Sequence, residues 1–384
     1  MNCPYVENCG GCPLRTLSID DYRKVKQSWF AQLLKAIKQN SISLGEPIFA
    51  DDGLRRRAEL TFVWHKKHLK LGFNTAESHE IVDIEQCKAL EPSLNAILPA
   101  VRQFLQDLCS INISQRIKNK VVEKNITCGE IWLTKADNGI DILLEIEEAI
   151  TLEHRFLISD FTQANTEVVR VSVGKKNGYA ETIIEKVKPF IDIVGQRVFI
   201  GAGTFLQPSK AGEKALIATV MRYAGKTQGR IADLFCGIGT FSYPLAKNMR
   251  NKITAIDSST DLLNGFRQTV NASTIPNIEI VQKNLFKYPL DAEELRGFDL
   301  IVFDPPRAGA SAQVKQLADM PYENKPYKVI AVSCNPHTFI NDANTLIGGG
   351  YEIREMTLVD QFVYSKHFEL VALFVKKESV NEFE

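Results

Sequence analysis

The chain has 384 residues, with 46 Lys plus Arg balanced by 46 Asp plus Glu and a formal net charge of zero at pH 7. That length suits two or three domains with ample core, and with no apolar run long enough to span a membrane and no leader visible, a cytoplasmic location is expected. The charge balance argues against a broadly basic binder, so contacts to a polyanion must come from local patches.

The first dozen residues hold Cys3, Cys9 and Cys12, separated by glycine and proline, which favours a tight ligand loop. A disulfide scaffold does not suit a chain of this length without a secretory leader, so metal binding is the natural inference. Polar-flanked Cys87 is the candidate fourth ligand. Four thiolates suit zinc or an iron–sulfur cluster, and spacing alone does not separate the two. Cys109, Cys128 and Cys236 sit in apolar runs and read as core. From Ile19 to Lys38 an apolar stripe of Tyr22, Val25, Phe30, Leu33, Leu34 and Ile37 predicts an amphipathic packing helix. Residues 1–48 form the expected first unit.

Residues 49–190 form the second, a mixed α/β central domain supplying Cys87. Leu60, Phe62 and Trp64, then Leu69, Leu71 and Phe73, alternate as strands around a turn at Lys66-Lys67, with helix, strand and helix signals through to Ser172. Its basic runs, Arg55-Arg56-Arg57, Lys66-Lys67-His68 and Arg116, Lys118, Lys120 and Lys124, lie outside the third unit and are candidate phosphate contacts. The boundary near 190 rests on Pro189.

In residues 191–384, short apolar strands are predicted at Ile231 to Phe235, Ile253 to Asp257, Ile278 to Gln282, Asp299 to Phe303 and Tyr327 to Ser333. Helical patterns such as Thr240 to Asn248 and Asp261 to Ala272 separate them. This alternation predicts a doubly wound, Rossmann-like α/β domain, closed by an antiparallel pair at Tyr351 to Met356 and Phe368 to Val375. Ligands of such sheets collect outside the carboxyl strand ends, which here carry Asp233, Asp257, Asp304 and Cys334. Asp233 to Thr240 forms a glycine turn without the third glycine of a dinucleotide fingerprint, since Ser242 falls there. Asp257 could accept both hydroxyls of a ribose. This turn alone is compatible with a nicotinamide cofactor or with S-adenosylmethionine. Asp304-Pro305-Pro306-Arg307 predicts a rigid turn holding a carboxylate. In Ser333-Cys334-Asn335-Pro336, Pro336 opens a helix whose dipole would favour a thiolate at Cys334.

Together these residues resemble the RNA uracil-5-methyltransferase family, S-adenosylmethionine enzymes acting on uridine in ribosomal or transfer RNA. Phe205-Leu206-Gln207 is similar to its glutamine motif, Asp233 to Thr240 to its glycine loop, Asp304 to Gly309 to its Asp-Pro-Pro-Arg motif and Ser333 to Thr338 to its nucleophile loop. Asp360, Phe362, His367 and Glu369 resemble its closing motif. The resemblance implies cofactor contacts from Gln207, Phe235, Asp257, Asn284 and Asp304, with Glu369 as general base. It also implies a [4Fe-4S] cluster on Cys3, Cys9, Cys12 and Cys87, with a structural or RNA-positioning role. Ser209 departs from the usual asparagine, and Val363 and Ser365 from a usual proline and threonine, which bears on substrate contacts.

Carbon 5 of uracil is too poor a nucleophile to be methylated unaided. The implied mechanism adds Cys334 thiolate to carbon 6, making carbon 5 enolate-like, and then removes its proton with Glu369. His367 is read as structural. RNA cytosine-5 methyltransferases place a cysteine where Arg307 stands, and adenine amine methylation uses an aromatic after the paired prolines and needs no thiol. Uracil is therefore the expected base, flipped or unpaired to reach Cys334. Arg55 to Leu60 and Ile81 to Asp83 with Cys87 look more like the rRNA enzymes, so 23S rRNA is expected, with the tRNA T-loop second. The chain starts at its cysteine loop, so the extra RNA-binding barrel of some members is expected to be absent. No obligate protein partner is implied. A non-catalytic RNA-binding factor and a nicotinamide oxidoreductase are the competing classes.

Overall fold

A computed structural model describes residues 3–75, 78, 80–117, 120–176, 178–273 and 275–378. Among them, nine strands form one sheet. Its main path runs Ser43–Leu44, Tyr351–Asp360, Glu369–Lys376, Lys328–Ser333, Leu300–Phe303, Arg230–Leu234, Lys252–Asp257 and Ile278–Gln282, with Ile48–Phe49 also paired to Tyr351–Asp360. The five strands from Lys328–Ser333 to Ile278–Gln282 are parallel. All four residues of Leu300–Phe303 are buried, as expected for a strand covered by helices on both faces. Strand order reverses between Arg230–Leu234 and Leu300–Phe303, and such a switch point opens a crevice at the carboxyl ends. Glu369–Lys376 pairs antiparallel with both Lys328–Ser333 and Tyr351–Asp360. This matches the expected closing pair, though the first strand reaches Asp360, four residues further than its apolar pattern predicts.

The central sheet has seven strands, with Arg57–His65 and His68–Asn74 joined at Lys66 and Lys67, both at positive φ. Helices Pro92–Ser110 and Leu152–Ala164 cover it, with Phe104 stacked on Phe161 at 4.5 Å between centroids. Val168–Gly174 lies parallel to Gly139–Glu145, and the other neighbours in this sheet are antiparallel.

The expected N-terminal unit 1–48 does not stand apart. Helix Ile19–Ala36, capped by Ser18, buries Phe30 and Leu33 in a core shared with Phe339, Leu358 and Phe374 of the large sheet's domain. Residues Ser43–Leu44 and Ile48–Phe49 then extend that sheet alongside Tyr351–Asp360. Lys26, in the same helix, is fully buried and pairs with Asp360 at 3.2 Å, while Tyr22 donates its hydroxyl to Asp360. The cysteine loop ahead of it bridges Cys9 to Thr75 and donates Leu14 N–H to Tyr364 O at 3.0 Å.

Candidate active site

The crevice is lined by Phe205, Gln207, Phe235, Gly237, Thr240 and Asp304, among others. Phe235, straight after its strand, takes a positive φ of 59°, a strained conformation for a bulky residue that clusters at functional sites. At Gly239, φ +90°, a Cβ would meet the Phe266 ring at 2.6 Å, so that glycine is required by packing. Asp257 accepts from Gly237 N at 3.0 Å and Ser259 N at 2.9 Å, which fixes its carboxylate at the loop's mouth. Ser242, read in the sequence only as a missing glycine, donates to fully buried Asp233 at 2.6 Å. Burial, with Asp304 and Asp257 nearby, still pushes Asp233 up to about 7 despite that bond.

Asn284 is outside the pocket lining and makes a turn: its Oδ1 accepts from Phe286 N and Lys287 N at 3.1 and 3.2 Å. The turn sets the Phe286 ring 5.3 Å from that of Phe235. Phe286 was not singled out in the sequence. Its only signal is an aromatic two residues beyond a strand-end asparagine.

Cys334 follows Lys328–Ser333, and Asn335 caps helix Pro336–Gly348 through His337 N at 3.1 Å. Asn335 Nδ2 also donates to Arg307 O at 2.8 Å, fastening this loop to the Asp-Pro-Pro-Arg turn. Arg307 in turn meets His367 Nε2 at 2.9 Å, and Lys26 donates to the His367 carbonyl, consistent with a structural histidine. Glu369 opens the last strand and is 4% exposed. Its Oε1 accepts from Gln361 Nε2 at 3.3 Å, Gln361 Nε2 donates to Gln207 Oε1 at 2.6 Å, and Gln207 Nε2 donates to Asp304 Oδ2 at 3.1 Å. An unbroken side-chain path thus links two sequence-predicted residues that are 65 positions apart.

Burial and the neighbouring Asp304 push Glu369 up to about 8, against the Gln361 bond and Arg307; burial likewise raises Asp304 to about 7. Cys334 is pushed up to about 12 by burial, then by Glu369 and Asp304. The helix dipole expected to favour a thiolate is outweighed: the thiol in the free protein faces two carboxyl groups and is partly desolvated.

Cys3, Cys9, Cys12 and Cys87 line one pocket with Tyr5 and Phe73. Asn95 clamps the Cys87 loop, accepting from Cys87 N at 2.8 Å and donating to Cys87 O at 2.9 Å. Arg15 donates to Cys12 Sγ at 3.7 Å and to Asp52 Oδ1 at 2.8 Å. Burial pushes the Cys87 thiol up to about 11, with Cys12 and Cys9 adding to the shift. Among the described residues no group of three or more His, Cys, Asp or Glu is placed so that it could hold a metal ion, so the expected cluster site is not shown by the structure. Cys109 and Cys236 are buried as expected, but Cys128 is exposed at the start of its strand.

The arginine run is not a phosphate-facing patch as a whole. Arg55 is exposed, but Arg56 is 4% exposed and pairs with Glu213, and partly buried Arg57 lies over the rings of Trp132 and Phe205. Strand alternation turns Arg56 inward, where only an ion pair makes its charge tolerable. Lys124 pairs with Glu148 at 2.8 Å; Lys118 lies outside the described residues.

A doubly wound sheet with a crevice at its switch point places a cysteine and a buried carboxyl side by side at one edge, within an α/β methyltransferase fold. Residues 21–377 match the tRNA (uracil-5-)-methyltransferase family model, and the chain belongs to that family. It is an RNA uracil-5-methyltransferase. It is 33% identical over 369 residues to an uncharacterized RNA methyltransferase of Agrobacterium fabrum, covering 96% of this chain and 82% of that one. Over 382 residues it is 29% identical to the 23S rRNA (uracil(1939)-C(5))-methyltransferase RlmD of Vibrio cholerae, covering 98% and 81%. The crystal structure of Pyrococcus abyssi tRNA (uracil-54, C5)-methyltransferase in complex with S-adenosyl-L-homocysteine shares the fold, with a TM-score of 0.72 and 22% identity over 98% of this chain and 87% of that one. Among the described residues no helix is long and apolar enough to cross a membrane.

Proposed function

We propose that this cytoplasmic enzyme methylates carbon 5 of one uridine in 23S rRNA, with Cys334 as nucleophile and Glu369 as general base. The observation that carries this reading is the convergence of Asp304 and Cys334, which follow the carboxyl ends of two parallel strands, with Glu369, which opens the antiparallel strand beside them at the same edge of the sheet. The crevice at the switch point suits S-adenosylmethionine: Asp257 retains lone pairs for ribose hydroxyls, Phe235 offers a ring face, and the carboxylates of Asp304 and Asp233 favour a cation. Asn284 acts there through its turn and Phe286. Bound there, S-adenosylmethionine supplies an electrophilic methyl group on a sulfonium.

Cys334 gives its proton to solvent and its sulfur adds to carbon 6, moving the ring's electron pair onto carbon 5 and the carbonyl oxygen. Carbon 5 then takes the methyl group and still carries its hydrogen. Glu369 removes that proton, the released electron pair re-forms the ring double bond, and Cys334 leaves as thiolate. The base must be ionised for this step, and the Gln361 bond and Arg307 favour that form against burial and Asp304.

The four thiols around one pocket suit a [4Fe-4S] cluster, in which each cysteine serves a different iron. Its site touches the segment between Asp360 and Glu369 through Leu14 and Tyr364, which supports a structural role. The 23S rRNA assignment is supported by the RlmD relative; the tRNA T-loop is the second reading, favoured by the shared fold of the Pyrococcus enzyme. Tritium transfer from labelled S-adenosylmethionine to 23S rRNA and to tRNA transcripts tests it. Label in 23S rRNA is expected; label confined to tRNA would replace the first reading with the second.

A further inference from the structure

Gln361 was not singled out by sequence reasoning, yet among the described residues it is the one side chain that bonds to both Glu369 and Gln207. It is 4% exposed and held from several sides. Its neighbour Asp360 is anchored by Lys26 and Tyr22 from helix Ile19–Ala36. On another side it lies flush against Gly212, where a Cβ would meet Gln361 Oε1 at 2.4 Å and Gln361 Cβ at 2.5 Å.

The bonding pattern fixes its amide. Asp304 accepts, so Gln207 presents its NH2 to Asp304 and its carbonyl to Gln361, which leaves Gln361 NH2 to donate twice. Glu369 Oε1 is therefore occupied. Glu369 Oε2 and the Gln361 carbonyl oxygen are buried and have no hydrogen-bond partner among the described residues.

We propose that Gln361 is a positioning residue for proton removal: it holds Glu369 by Oε1 so that Oε2 is the atom presented to the carbon 5 proton. The inference rests on Glu369 being the base. Both hydrogens of one NH2 are used, so Gln361 also sets the distance between the base and the glutamine that meets Asp304. In the step itself the C–H bond at carbon 5 breaks, its proton goes to Oε2, its electron pair closes the ring double bond, and the carbon 6–sulfur bond breaks to return Cys334 thiolate. Loss of the Gln361 donor leaves the earlier bond formation at carbon 6 intact and slows only this release.

The groups facing Glu369 are Asp304 and Arg307 from the turn after Leu300–Phe303, Cys334 from the end of Lys328–Ser333, and Gln361 itself. The Gln361 bond favours the ionised base, so its loss moves the acidic limb of the rate profile to higher pH.

The test is Gln361→Met, of similar length without donors, with Gln361→Glu as a second variant and Glu369→Gln as reference, each with whichever 23S rRNA or tRNA transcript accepts methyl groups. In single-turnover reactions with S-adenosylmethionine, denaturation-resistant protein–RNA adduct on unmodified RNA is followed in time. Both Gln361 variants are expected to accumulate adduct, releasing it roughly ten- to a hundred-fold more slowly than the parent, the scale of one bond to a charged group. S-adenosylhomocysteine should still raise their Tm, and the acidic limb should shift upward. If Glu369→Gln accumulates adduct while a folded Gln361 variant releases it at the parental rate, the inference about Gln361 falls and the base assignment stands. If Glu369→Gln accumulates none, the base assignment falls and takes the inference with it.

Discussion

Arg56 of the central sheet donates its Nε–H to the main-chain carbonyl of Gln207 at 2.9 Å, so a residue outside the large sheet's domain holds the glutamine that reaches Asp304. The same guanidinium pairs with Glu213, and Arg56 N–H donates to Pro208 O at 2.8 Å. Removing one partner of a buried pair leaves the other charge uncompensated, at a cost of about 3–5 kcal/mol. Arg56→Ala is therefore expected to lower Tm strongly and weaken S-adenosylhomocysteine binding. An Arg56→Ala protein of parental Tm would show that the contact between the domains is not built on this residue.

The raised carboxyls make stability pH-dependent with a definite sign. Glu369 moves from the ordinary 4.5 to about 8 and Asp304 from 3.8 to about 7. Between those limits the folded state binds more protons than the unfolded chain, so stability is highest at the acidic end of the window and is lost as pH rises towards 8. Glu369→Gln removes one such group. Its Tm is expected to exceed the parent's by a margin that grows as pH rises from 6 to 8 and levels off above that. A constant margin across that range would contradict the assignment of the shift to Glu369.

Ser242 offers a sharp contrast between sequence pattern and structure. Ser242→Gly restores the dinucleotide fingerprint but removes the hydroxyl that bonds Asp233, leaving a fully buried carboxyl with only the backbone bond of residue 242. The expected loss is about 1–3 kcal/mol, measured by denaturant unfolding, with no gain of nicotinamide binding.

Much of the large domain was legible because buried parallel strands carry apolar runs ending in chemistry-bearing residues: Ile278–Gln282 matches its predicted span, and Cys334 directly follows the strand that ends at Ser333 as its apolar run predicts. Two-residue strands such as Ser43–Leu44 carry no periodicity, so the merging of the N-terminal segment with the large sheet was invisible. Arg56 looked like its neighbours because charge in a sequence does not say which strand face it occupies. Gln361 gave no signal either, since its importance lies in partners 154 and 8 residues away.

The four-cysteine pocket makes a compositional prediction. Protein purified without oxygen should contain roughly four irons and four acid-labile sulfides per chain, and Cys87→Ser should lose most of both. Stoichiometric zinc without sulfide would contradict the cluster.

The central claim is that Cys334 bonds covalently to a uridine. Fluorine at carbon 5 cannot be removed as a proton, so the adduct formed on 5-fluorouridine-substituted RNA with S-adenosylmethionine should be trapped. A denaturation-resistant protein–RNA band with 23S rRNA is expected, and it should disappear in Cys334→Ala. A parental enzyme that methylates ordinary RNA yet forms no such band, or a band that survives loss of Cys334, would contradict that claim.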